Sequence, residues 1–109
     1  MKETLLVKHA VGGRTFIHTD KHPLEYKVKP EAGGWTFVIR TPRNEAVEEI
    51  LKWKNELNVF LFEEYPDKPT IKKWYYVKDG EVEFDEASES LIIRANSRIE
   101  YVPDEFSIQ

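Results

Sequence analysis

The chain has no cysteine, which excludes disulfides, thiolate metal sites and a cysteine nucleophile. No apolar run approaches the roughly 20 residues that a membrane-spanning helix needs. Glycine is scarce, and Gly12-Gly13 and Gly33-Gly34 are isolated pairs, neither opening a helix as a phosphate-cradling loop must. Ser88, Ser90, Ser97 and Ser107 fall in connectors or the tail, outside any G-x-S-x-G context. The opening MKETLLVKHAVGG has only a brief apolar patch, interrupted by Lys8 and His9, and does not read as a secretory signal. A cytoplasmic location is the resulting expectation, with no membrane partner. None of these features calls for a cofactor, and no catalytic motif is present.

What remains is a chain of 109 residues, 40% hydrophobic and 13% aromatic, which fits one globular domain over 1–109. Residues 103–109 read as a loose C-terminal tail, in which Phe106 and Ile108 offer apolar side chains for docking. The net charge of −4 is unevenly spread. Residues 1–55 hold ten Lys/Arg against seven Asp/Glu, and residues 56–109 hold six against thirteen. An acidic second half argues against general nucleic-acid binding, which needs a concentrated basic surface.

The most pointed stretch is Lys72 to Asp85, KKWYYVKDGEVEFD. Two alternating runs flank Asp79-Gly80, a dipeptide suited to the positive φ angles of a tight turn, so a β-hairpin is expected. Its register would set Val77 against Val82, Tyr76 against Glu83 and Tyr75 against Phe84. One face, with Tyr75, Val77, Val82 and Phe84, is then core. The other carries Trp74, Tyr76, Glu81 and Glu83, large aromatics beside carboxylates where polar residues alone would serve.

Elsewhere, Leu5 to Val11 and Arg14 to Thr19 read as a hairpin around Gly12-Gly13, pairing His9 with Phe16 and Val7 with His18. Leu24 to Lys29 and Trp35 to Arg40 alternate as half-buried strands. A helix is expected at about 42–57, with Thr41 as N-cap, Pro42 in the first turn and Ala46, Ile50, Trp53 and Leu57 as its buried stripe. Val59 to Phe62 is a buried strand. Leu91 to Ala95 and Arg98 to Val102 read as a last hairpin around Asn96-Ser97. The expected fold is therefore α+β: antiparallel sheets forming a partial barrel or sandwich of about eight to nine strands, with a single helix packed on one side.

Three groups of side chains invite chemistry. His9, His18 and His22 would bind a metal only if they converge, and their spacing matches no established pattern, so no metal site is assigned. Glu81, Glu83 and Asp85 alternate on one strand face and read as an ordinary solvated surface; no catalytic residue is assigned. Arg40, Thr41 and Arg43 bracket the expected helix start, where two guanidiniums and the helix N-terminus would suit an anion. Two functions follow. The leading one is a non-catalytic protein-binding module, an adaptor, inhibitor or assembly subunit, contacting another protein or further copies of itself through Trp74, Tyr76, Glu81 and Glu83, with Tyr65 in the preceding loop. The alternative is a binder of a small anionic, nucleotide-like ligand at Arg40, Thr41 and Arg43, with the site between copies of a homo-oligomer.

Overall fold

Period-two alternation dominates the chain, and among the described residues seven strands result: β1 (Lys2–His9), β2 (Thr15–His18), β3 (Tyr26–Glu31), β4 (Gly34–Arg40), β5 (Leu57–Glu64), β6 (Ile71–Asp85) and β7 (Ser90–Tyr101). One helix, α1 (Glu45–Lys52), separates β4 from β5. The computed structural model describes residues 1–102, with the side chains of residues 78–80 outside the description. The strands join in one antiparallel sheet, ordered β2-β1-β5-β6-β7-β4-β3 and curled into a half-barrel. This is the α+β architecture expected, with the helix on one side.

The face carrying the helix is the inner one. Leu5, Val7, Phe37, Ile39, Val59, Leu61, Tyr75, Leu91 and Ile93 are buried on it, and Val47 and Ile50 of α1 complete the same cluster. The helix occupies only part of that face. Where it ends, the sheet closes on itself: the Tyr26 hydroxyl donates to Glu3 Oε1 at 2.7 Å. This bond joins β3 to β1, strands separated in the sheet by β5, β6, β7 and β4. The β3–β4 turn depends on glycine twice. Gly33 has φ +86°, and a Cβ on Gly34 would lie 1.9 Å from the Ala95 carbonyl oxygen of β7.

Several local expectations are corrected. Residues 72–85 are one strand, β6, paired with β7 on both sides of residues 78–81 in place of pairing with itself. Tyr75 lies opposite Arg98, Val77 opposite Ala95, Val82 opposite Ile93 and Phe84 opposite Leu91. Residues 78–81 leave the ladder between Val77 and Val82, so Asp79-Gly80 marks a bulge inside a strand. The expected last hairpin is likewise a single strand, β7 (Ser90–Tyr101), with Asn96 as an extra residue in its ladder. These two mergers reduce the strand count to seven. A continuous twelve-residue β7 offers β6 partners throughout, and that long pairing wins over two short local ones.

The helix is shorter than the apolar spacing predicts. Asn44 is its N-cap, accepting from Val47 N–H at 3.0 Å, while the Thr41 hydroxyl donates to the Pro42 carbonyl. Trp53 is the C-cap, and Leu57 serves the same core from β5. In the first hairpin the register is off by one. Val7 lies opposite Ile17 and Leu6 opposite His18, with a bulge between Val7 and Lys8, and the His9 N–H bonds the Arg14 carbonyl at 2.7 Å. The tail over 103–109 lies outside the described residues.

Candidate functional site

The outer face of the sheet is built by register. Leu6 of β1 lies opposite Phe60 of β5, Phe60 opposite Trp74 of β6, and Trp74 opposite Ile99 of β7. One row over, Thr4, Phe62, Lys72 and Tyr101 align in the same way; on the other side come Lys8, Asn58, Tyr76 and Ser97. Antiparallel strands with one solvated face ordinarily alternate apolar and polar. Here β5 and β6 are aromatic on the outside as well.

The rings touch. The Phe60 and Trp74 centroids are 5.5 Å apart, and Trp74 stacks on Tyr76 at 5.2 Å. The Lys72 ammonium lies 4.5 Å from the Phe60 centroid, 5.3 Å from Phe62 and 5.6 Å from Tyr101. It makes no ion pair among the described residues. Phe60 is covered by its neighbours, while Phe62, Trp74 and Tyr76 are half-buried and Ile99 is 46% exposed. None of these side chains belongs to the inner core. The Trp74 indole Nε1–H is buried and, among the described residues, has no hydrogen-bond acceptor.

The expected contact residues are divided by this arrangement. Trp74 and Tyr76 sit together in the aromatic face. Glu83 is also on the outer side, opposite Ile92, but beyond the 78–81 bulge, where Arg94 donates to it at 3.4 Å. Glu81 is exposed beside Arg94, Gly34 and Asn96. Tyr65 is elsewhere: its hydroxyl donates to Glu63 Oε1 at 3.2 Å and Lys68 lies over its ring at 4.2 Å. Burial and the bond to Glu63 push the Tyr65 hydroxyl pKa up. The sequence places Phe60 and Phe62 in the core, whereas both face outward here; Lys72, Ile99 and Tyr101 carry no signal of this face in the sequence.

The alternative anion site is not assembled by α1. Arg43 is held by Glu48 and by Glu86, and these acids raise its pKa, Glu48 foremost. One early helical N–H, that of Val47, is taken by the Asn44 side chain, and Thr41 is buried. Arg40 faces a separate open groove of about 510 Å³ with Lys27 and Lys29. The histidines diverge. His9 is on the inner side, its Nε2 3.2 Å from Glu56 Oε1 and its ring 4.9 Å from that of Trp53. His18 is on the outer side, opposite Leu6. Among the described residues no group of three or more His, Asp or Glu could hold a metal. Among the described residues no helix is long and apolar enough to cross a membrane.

Comparison of the chain with protein-family models, with curated proteins and with solved structures finds no match in any of the three.

Proposed function

We propose that this is a non-catalytic binding protein, an adaptor, inhibitor or assembly subunit, that works by docking another protein on its outer aromatic face. The observation that carries this reading is the outward-facing row Leu6, Phe60, Trp74 and Ile99 with its flanking rings, contiguous across four strands. A contiguous apolar surface of this kind is what partner contacts bury, with aromatic anchors at the centre. The charge pattern favours a partner that is not a second copy. Among the described residues Lys72 lies at the middle of the rings with no acid in ion-pair contact, and a two-fold contact centred there would oppose Lys72 to itself. A foreign surface that places a carboxylate among apolar side chains complements it.

The test is site-specific photo-crosslinking in cells, with the crosslinker at Tyr76 or, as control, at Lys27 on β3. Discrete heavier adducts are expected from position 76 alone. They should vanish when Ile99→Lys or Lys72→Glu is added to a chain that still folds. Equal adducts from position 27, or adducts untouched by both changes, would overturn the reading. A product of twice the chain mass would replace the foreign partner with a second copy.

A further inference from the structure

The part of the inner face that α1 leaves open is a different environment. A cavity of about 320 Å³ lies there, walled by Tyr26, Trp35, Tyr75, Glu63, Lys73 and Arg98 among others. Its acids are already engaged. Lys73 Nζ is 2.8 Å from Glu63 Oε2, Tyr65 donates to the other Glu63 oxygen, and Tyr26 donates to Glu3. Arg98 is not paired in this way. Its Nη1 donates to the Tyr75 hydroxyl at 3.2 Å, and the guanidinium carbon lies 4.8 Å from the Trp35 centroid. It makes no ion pair among the described residues. A guanidinium has five N–H donors in a rigid fork. One is committed to a tyrosine hydroxyl whose residue is itself 1% exposed, so the group is positioned by buried structure; the Glu63 carboxylate feels its charge through space, but among the described residues no carboxylate is in ion-pair contact with it.

We infer that this cavity binds a small aromatic monocarboxylate, its carboxylate received by Arg98 and its ring lodged among Trp35, Tyr26 and Tyr75. The size suits one or two fused rings, being at the lower end of small-molecule pockets, roughly 300–1,000 Å³. The charge selects the anion. Glu3, Glu63, Lys73 and Arg98 sum to neutrality around the cavity, so the preference for one negative charge is local, set by the free donors of the Arg98 fork. A dianionic phosphate would add a second charge close to Glu3 and Glu63, where like charges repel. This site faces away from the docking surface, and its reality does not depend on any protein partner.

The experiment is NMR titration of the full chain with indole-3-acetate, followed at the Trp35 indole and Arg98 side-chain signals. Indole and phenyl phosphate are the comparison probes. Saturable shifts at both residues are expected, with a dissociation constant of about 1 mM or tighter for a ligand this small. Indole, lacking the carboxylate, and phenyl phosphate should each bind roughly ten-fold more weakly. Arg98→Lys keeps the charge but loses the fork and should weaken binding several-fold; Arg98→Met should abolish it. Because Arg98 is solvent-exposed, both variants should fold, which a proton spectrum verifies. Absence of saturable shifts, equal binding of indole, or binding that survives Arg98→Met would each overturn the assignment.

Discussion

Two wings of the same outer surface have opposite chemistry. Over β3 and β4 the outward positions hold Lys27, Lys29 and Arg40, with Arg94 of β7 tied to Glu83 nearby. Over β1, β5, β6 and the later part of β7 they hold Leu6, Phe60, Phe62, Trp74, Tyr76 and Ile99. Both wings share one sheet and one side, and each has buried apolar residues beneath it, Phe37 and Ile39 under the first and Leu5, Val59 and Leu61 under the second. The aromatics of the second wing lie outside that buried cluster. The inner face repeats the lesson in reverse: one part is dry under α1, and the other is a polar cavity lined by Glu63, Lys73 and Arg98. Alternation along β6 crosses these environments residue by residue, so sequence neighbours there belong to different parts of the molecule's work.

The largest effect should separate Tyr75 from Trp74. Tyr75 is 1% exposed, edge-on to Phe37 at 4.8 Å and to Trp35 at 5.5 Å. Removing it leaves a cavity at the centre of the core and strips Arg98 of its hydrogen bond. Tyr75→Ala should cost about 3–5 kcal/mol in urea denaturation. Trp74→Ala, one residue away, should cost about half as much or less, since its ring is only partly removed from water. Equal losses would erase the distinction between the faces and make the outer aromatics a second core.

A smaller effect distinguishes Lys73 from Lys72. Lys73 and Glu63 face each other with side chains 18% and 12% exposed. The bond to Lys73 holds the Glu63 carboxyl below its usual range, and the same bond raises the Lys73 ammonium pKa. Glu63 is thus a group whose folded pKa is depressed. Its contribution is present above the unfolded value, roughly pH 4.3, and is lost as pH falls through the lower folded value. Lys73→Met should cost about 1–3 kcal/mol at neutral pH by leaving that carboxylate unpaired. The gap from the parent protein should narrow as denaturation is repeated from pH 7 down to pH about 3. Lys72→Met, on the outer side with no ion pair among the described residues, should give a small difference that is flat with pH. A pH-independent loss at position 73 would show that its stem, and not its charge, matters.

Much of this division was written locally. The period-two patterns of Tyr26/Val28 and of Trp35/Phe37/Ile39 place those residues on the inner face, where they are found. The parity of Tyr75, Val77, Val82 and Phe84 was also legible, although the hairpin inferred from it was not formed. An Asp-Gly pair specifies that the chain can turn sharply; it does not specify whether the flanking runs pair with each other or with a third strand. That choice belongs to β7, far along the sequence. The same limit hid half of the aromatic face. Val59 to Phe62 is apolar at every position, so no polar partner marks which parity faces out, and Phe60 and Phe62 were grouped with the core. Trp74 and Tyr76 stood out because their alternation partners were evidently core. Their meeting with Phe60, Ile99 and Lys72 is fixed only by the register of four strands. The inner cavity was less legible still, because the curl that brings Tyr26 to Glu3 is a property of the whole sheet.

The smallest predicted change is the sharpest probe of why the outer wing is aromatic. Among the described residues the Trp74 indole N–H is shut away from water without an acceptor, at a penalty of about 1–3 kcal/mol that a phenyl ring would not incur. Phenylalanine keeps a ring against Phe60 and Tyr76 while giving up some buried apolar area, roughly 1 kcal/mol by area. The two terms oppose each other, so Trp74→Phe should leave stability within about 1 kcal/mol of the parent. If tryptophan stands at this position for docking, the same change should cut the crosslinking yield from position 76 while the melting temperature stays put, because aromatic anchors dominate contact energies. A stability loss without any loss of crosslinking would place Trp74 on the side of folding, and the contrast between the two wings would then be one of packing.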